Sequence, residues 1–225
     1  MGLNKQKGNM YPWVTNTWNV IKGKCPHDCS YCYMKLYLQK DIRFDASELK
    51  TDLGEGRFIF VGSSCDMWAD AISLSWIVPI LGRCIDAPSN RYLFQSKNPA
   101  RFEVHPFPKD TILGTTIETN REYHTDVPFP LSKAPQTIKR VEAMIRYKEP
   151  KMVSIEPILD FDLPEMTNFI KWIEPEFVSI GADSQNHHLP EPKPDKIKTL
   201  IEELRKFTDV RLKDNLKRLS EGLEG

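Results

Sequence analysis

Three of the five cysteines fall within eight residues, Cys25, Cys29 and Cys32, in the run from Lys24 to Met34 that reads KCPHDCSYCYM. Thiolates at this Cys-x3-Cys-x2-Cys spacing can bind three irons of a cubane and leave the fourth iron open for another ligand. An electron carrier whose cluster is fully ligated needs a fourth cysteine close by, and the next one, Cys65, lies 33 residues on. The same sulfurs with His27 also suit a zinc ion, although structural zinc usually draws paired ligands from two separated segments, and no second pair follows. An odd cysteine count with this clustering fits a metal site in a reducing compartment better than a disulfide framework.

Such a loop needs a scaffold. Short β-branched or aromatic runs alternate with longer stretches of helical spacing, the pattern of β-then-α units on a parallel sheet. Strands are expected near Thr15–Ile21, Arg57–Val61, Arg91–Gln95, Thr111–Ile117, Met152–Ile155 and Phe177–Ile180. Between them Ile138, Val141 and Ile145 share a helical face, as do Met166, Ile170 and Ile173, and then Ile197, Leu200, Ile201 and Leu204. Pro164 and Pro194 stand where a first helical turn begins and a missing amide donor is tolerated. A first covering helix is expected within Tyr37–Gly56, and a last one over Asp209–Leu219, where Leu212, Leu216 and Leu219 recur. Cys84, beside Ile80, Leu81 and Ile85, reads as core. The Pro-rich stretch Asn120–Pro135 and the segment Asp183–Pro194, with His187 and His188, read as loops. In a parallel barrel both lie at the C-terminal mouth, where such folds place their chemistry. A single domain over 1–225 is expected, its core at about 11–206 and a helical extension at about 207–225.

At 225 residues, 40% hydrophobic and 28% charged, the composition is that of an ordinary soluble globular protein. Acidic and basic residues both total 31, so no global charge draws the chain to nucleic acid or an anionic membrane. No apolar run approaches the ~20 residues of a membrane span, and Met1 to Met10 lacks a secretory core and, with Gln6, the myristoylation pattern. A cytoplasmic location is expected.

With Tyr31 in the aromatic place, Cys-x3-Cys-x-aromatic-Cys resembles the motif of the radical S-adenosylmethionine (SAM) superfamily at all four positions. The surrounding CPHDCSYCYM is similar to that of spore photoproduct lyase relatives and of a small phage-associated family of unassigned function. The resemblance implies an α/β fold, a partial (β/α)6 TIM-like barrel with parallel strands. It also implies a [4Fe-4S] cluster on Cys25, Cys29 and Cys32, with SAM chelating the open iron through its amino and carboxylate groups. The strand ends would supply the other SAM contacts. Gly62, Ser63, Ser64 and Asp66 stand where the superfamily commonly has Gly-Gly-Glu. Thr116 and Glu118 would face the ribose, Ser154 and Glu156 repeat that spacing, and Gly181 with Tyr31 would enclose the adenine. The implied reaction is reductive cleavage of SAM to a 5'-deoxyadenosyl radical that abstracts a substrate hydrogen, driven by a one-electron reductant such as flavodoxin or ferredoxin.

The same likeness points to modification or repair of a nucleic-acid base or nucleoside. Trp68, Tyr123 and Phe129 are candidates to stack a base, and Lys97, Arg101 and Arg121 to meet phosphates. Cys65 is a candidate hydrogen-atom donor to a product radical, against the plainer reading of a packed small thiol. Two readings compete: a radical SAM enzyme acting on a peptide or small metabolite, and a noncatalytic zinc-binding interaction module.

Overall fold

The structure, a computed structural model, describes residues 3–104, 106–121 and 131–220. Where a strand is buried on both faces, its sequence loses the alternation of a half-exposed strand and becomes apolar throughout. Apolar residues on both faces run through β5 (Phe58–Val61), β6 (Arg91–Ser96), β7 (Thr111–Thr116), β8 (Lys151–Ile155) and β9 (Phe177–Ile180), the centre of a mixed α/β fold, with polar residues entering near the C-terminal ends of β6 to β9. They belong to an eight-stranded sheet completed by β1 (Asn4–Lys5), β2 (Asn16–Trp18) and β10 (Asp209–Leu212). Its order is β1-β2-β5-β6-β7-β8-β9-β10, antiparallel only between β1 and β2. The sheet winds in one direction with no reversal of strand order, and β1 and β10 form its two edges. A separate pair joins β3 (Ile21–Lys22) to β4 (Arg43–Phe44).

One face of the large sheet packs Ile59, Val61, Tyr92, Phe94, Leu113, Val153, Ile155, Val178 and Ile180 into the main core. Covering it are α1 (Leu74–Ile85), α2 (Thr137–Met144), α3 (Leu163–Ile173) and α4 (Pro194–Leu204). They bury the apolar stripes that their periodicity predicts, although Ile145 falls past the end of α2 and is exposed. Each such aliphatic side chain contributes about 1.5–3 kcal/mol on burial. The opposite face carries a smaller core of Phe60, Leu93, Ile112, Met152 and Phe177, closed by Tyr11 and Val14 with Met10 and Trp13 from the N-terminal segment. That segment fills one end of this face and leaves the C-terminal strand ends for polar residues.

Three expectations change. The strand expected over Thr15–Ile21 divides: the chain leaves the large sheet after Trp18, and Ile21 and Lys22 pair with β4 instead. The helix expected within Tyr37–Gly56 is absent. Only two 3-10 turns, Tyr33–Leu36 and Ala46–Lys50, flank β4, because Asp45 caps the second locally and Gly54 and Gly56 take positive φ. The stretch Asp209–Leu219 opens as β10, a one-sided edge strand, before a 3-10 turn and α5 (Lys217–Ser220). Its leucine spacing misleads because Leu212 lies in the strand and is exposed, while Leu216 is buried. Among the described residues no helix is long and apolar enough to cross a membrane.

Candidate active site

The cysteine loop follows β3, and backbone hydrogen bonds hold it at both ends. Lys24 N–H donates to the Lys40 carbonyl, Ser30 N–H to Leu131 and Lys133 N–H to His27, while Asp28 takes a positive φ of 46° to make the turn. At Gly23 a Cβ would collide with the Asp41 carbonyl, so only glycine lets β3 feed this loop. Cys25, Cys29 and Cys32 are all free thiols, with Cys29 buried and the others half-buried. The three share one electrostatic neighbourhood: burial pushes the Cys32 thiol up, and Cys29 and Cys25 add to the effect. A hydrogen bond from Cys65 draws Cys25 down to about 6, and Cys65 as its donor is pushed up. Among the described residues no three His, Cys, Asp or Glu groups converge on one point suited to a single metal ion. Three free thiols on one pinned loop, with Cys65 lying against Cys25, are ligands of the kind that hold an iron-sulfur cluster.

Facing this loop, Glu118 sits two residues past Thr116 at the end of β7, and both side chains are buried. Arg140, from α2, donates to Glu118 Oε2 at 2.7 Å and to the Thr116 carbonyl at 2.9 Å. Lys97, just past β6, pairs with Glu118 Oε1 and donates to the Tyr31 hydroxyl at 2.7 Å, and that hydroxyl donates to Glu118 Oε1 in turn. Burial alone would push the Glu118 carboxyl up, but Arg140 and Lys97 outweigh it and hold it down at about 2. Burial and the same carboxylate drive the Tyr31 phenol well above its ordinary range. A cleft of about 330 Å³ opens beside Glu118 and Arg140, walled by Asn120, Arg121, Ser132 and Gln136.

The end of β8 repeats the spacing with Ser154 and Glu156. Glu156 accepts from Lys213 at 2.7 Å through Oε2, and from Asn9 at 2.8 Å and Asn215 at 3.1 Å through Oε1. Ser184 accepts from both amides, and Asn215 also donates to the Ala182 carbonyl at 2.6 Å. A Cβ at Gly181 would stand 2.8 Å from Glu156 Oε1 and 2.9 Å from Asn215 Oδ1, so glycine is needed here to admit these two side chains. Asn215 Oδ1 itself is buried without a hydrogen-bond partner among the described residues. Between the two carboxylates, Tyr11 donates to Gln95 at 2.9 Å and Gln95 to the Thr116 hydroxyl at 3.1 Å, while Ser154 contacts Tyr11 from the next strand.

After β5, Gly62 takes a positive φ of 81°, and Asn19 ties down Ser63 through its hydroxyl and Ser64 through its backbone N–H. Asp66 is half-buried beside the cysteine loop. It accepts from Ser96 at 2.9 Å, from the backbone N–H groups of Lys97 and Trp68 at 2.8 and 2.9 Å, and bonds His27 at 2.9 Å. Burial opposes its charge, yet His27 and the amides keep its carboxyl below the ordinary value. Asp66 and His27 thus join the cysteine loop to β6. Cys65 is buried against Cys25, and Cys84 is buried in α1 as expected.

Several candidates lie elsewhere. Trp68 is fully buried among Phe94, Phe102 and Phe107, so it cannot stack a base. Arg101 is committed to the carbonyls of Trp68, Ala69 and Ile72, Arg121 to Asp160 and Asp162, and Lys97 to Glu118, so all three already have partners in place of phosphates. Tyr123 and Phe129 lie outside the described residues, as does much of the Asn120–Pro135 loop. Conversely, Asn9, Tyr11, Gln95, Arg140, Lys213 and Asn215 enter the site without having been singled out for it. The one signal for them was that both strand-end carboxylates had to find cations.

No family model matches the chain, and no curated protein matches it in sequence. Among solved structures it is similar to spore photoproduct lyase. One variant of that enzyme superposes with a TM-score of 0.60 at 11% identity, covering 96% of this chain and 77% of the other. A variant with dinucleoside spore photoproduct gives 0.61 at 11% identity, covering 98% and 79%. A variant with bound AdoMet and the dinucleoside gives 0.56 at 11% identity, covering 92% and 66%. At such identity the shared property is the fold.

Proposed function

We propose that the chain is a radical SAM enzyme on a partial (β/α)6 barrel, acting in modification or repair of a nucleic-acid base or nucleoside. One observation carries this reading: three free thiols on a pinned loop lie beside the buried strand-end carboxylate of Glu118, which Tyr31 of the same loop meets, on the fold of an enzyme whose structures contain AdoMet and dinucleoside spore photoproduct. In it Cys25, Cys29 and Cys32 hold a [4Fe-4S] cluster. With SAM bound, that group supplies one-electron cleavage of the sulfonium to a 5'-deoxyadenosyl radical, which takes a hydrogen from the substrate.

The chain's own residues hold and orient. Gly62, Ser63 and Ser64 offer backbone and hydroxyl groups toward the ammonium end of SAM, and Thr116 and Glu118 toward its ribose. Tyr31 stands between the cysteine loop and Glu118, its ring under the Lys97 ammonium at 5.1 Å, and is placed to bound the adenine. Ser154 and Glu156 line the adjoining strand end, and Gly181 serves that site by admitting Glu156 and Asn215. Asp66 positions the cysteine loop through His27. The cleft beside Arg140 is the place for a polar substrate group, its wall carrying both signs of charge in Glu118, Arg121, Arg140 and Glu165. Cys65, beside Cys25, is the proposed hydrogen-atom donor, and unimpaired product formation by Cys65→Ala would remove it from that role. The electron comes from an external reductant such as flavodoxin or ferredoxin, in the cytoplasm.

The direct test is anaerobic reconstitution with iron and sulfide, followed by assay of 5'-deoxyadenosine formed from SAM under dithionite. The expected result is turnover by the parent and none by Cys25→Ala, Cys29→Ala or Cys32→Ala. A well-formed cluster with no deoxyadenosine would overturn the catalytic reading. DNA, RNA and free nucleosides are then compared as substrates, and equal indifference to all three would count against nucleic acid.

A further inference from the structure

Immediately after Cys32 the chain exposes an apolar strip that its fold does not use. Tyr33 is 44% exposed, Leu36 64%, Tyr37 62% and Leu38 90%, and no residue of the 3-10 turn Tyr33–Leu36 is buried. Elsewhere among the described residues, large exposed apolar side chains are more scattered. The strip is nonetheless held in place. Lys35 N–H donates to the Cys32 carbonyl, Tyr37 N–H to Met34, Gln39 to the Met34 carbonyl at 2.7 Å, and the Tyr33 hydroxyl to the Ser63 carbonyl at 3.2 Å. Four apolar side chains kept in water at a fixed place are the mark of a surface that another molecule covers.

The charge around the strip indicates which kind of molecule. Residues 24–43 contain Lys24, Lys35, Lys40 and Arg43 against Asp28 and Asp41, in a chain whose formal net charge is zero. All four cations are exposed, and the exposed Lys133 is brought alongside by its salt bridge to Asp28. A basic rim around an apolar centre steers and then holds an acidic protein. Position adds the second element. A 3-10 turn rises about 2 Å per residue, which places Leu36 within roughly 10 Å of Cys32 along the turn. Electron transfer falls off steeply with distance, and this strip adjoins the cysteine loop directly, beginning one residue past Cys32.

We infer that the Tyr33–Leu38 strip with its lysine and arginine rim is the docking surface for an acidic one-electron carrier protein. The inference rests on the radical SAM reading of the cysteines. One electron leaves the carrier's reduced centre, which is oxidised by one electron, and enters the group held by Cys25, Cys29 and Cys32. No bond is made or broken in the exchange.

The test compares the full chain with Leu36→Asp/Leu38→Asp and with Lys35→Glu/Lys40→Glu, after matching melting curves establish that both variants fold. Binding of flavodoxin and of a ferredoxin is measured by calorimetry at rising salt, and deoxyadenosine formation is followed with either carrier or dithionite as the electron source. Expected results are carrier binding by the parent that weakens with salt, at least tenfold weaker binding by both variants, and an equal fall in carrier-driven turnover at unchanged dithionite-driven turnover. Carrier binding that is absent in the parent, or unchanged in the variants, overturns the docking surface. So does a parent dimer that the variants dissolve, which assigns the strip to a second copy, or a selective loss of DNA or RNA binding, which assigns it to the substrate. Failure of dithionite-driven turnover in the parent would instead count against the catalytic reading, and the binding arm would still decide the surface.

Discussion

Two carboxylates stand two residues past a hydroxyl at adjoining strand ends, Glu118 after Thr116 and Glu156 after Ser154, and the fold holds them in different ways. Glu118 is buried between two cations and a phenol, so two positive charges meet one negative. Glu156 has one cation, Lys213, and takes its other bonds from the amides of Asn9 and Asn215. The first arrangement fixes a carboxylate in its charged state. The second is neutral, and its neutral amide bonds are weaker individually than charge-assisted ones. Equal spacing in sequence thus yields one electrostatically locked site and one hydrogen-bonded site, with the difference set by what neighbouring elements bring.

The largest expected effect is at the locked site. Glu118→Gln leaves Lys97 and Arg140 buried without their counter-charge and is expected to cost about 3–5 kcal/mol, read as a fall in denaturation midpoint with loss of SAM affinity. Glu156→Gln keeps an acceptor for both amides and removes only the ionic bond to Lys213. Its expected cost is about 1–2 kcal/mol by the same measurement. Equal losses in the two variants would erase the distinction.

The pH dependence separates them further. The folded pKa of Glu118, about 2, lies below its ordinary 4.5, so its stabilising contribution is fully present above about pH 5 and is lost as pH falls toward 2. The parent should lose stability through that window, and Glu118→Gln should lose distinctly less. Identical acid profiles would contradict the assignment. Gly181→Ala pushes a Cβ into Glu156 and Asn215, with an expected cost of about 1–3 kcal/mol and a shifted Glu156 carboxyl resonance. Asn9→Ala should be the mildest, at about 0.5–1.5 kcal/mol, with Lys213 still in place.

What could be read in advance was local. The three cysteines, the Thr-x-Glu and Ser-x-Glu strand ends and the five central strands are encoded in short windows, where spacing and periodicity suffice. Lys97, Arg140 and Lys213 escape such reading because each reaches its carboxylate through the register of a different strand or helix. Asn9 meets Glu156 across 147 residues. Tyr11 and Trp13 of the N-terminal segment close the second core, a contact that no short window encodes. β10 was mistaken for helix because an edge strand with one neighbour carries little alternation, and its leucines happen to fall at helical spacing. Trp68, a large aromatic near a strand end, is fully buried and serves packing.

Electron paramagnetic resonance of the anaerobically reconstituted, dithionite-reduced chain tests the proposal that Cys25, Cys29 and Cys32 hold a cluster with one open iron. The expected result is about four irons per chain by metal analysis and a reduced-cluster signal whose g-values shift when SAM is added. One zinc per chain with no such signal, or a cluster signal indifferent to SAM, would contradict it.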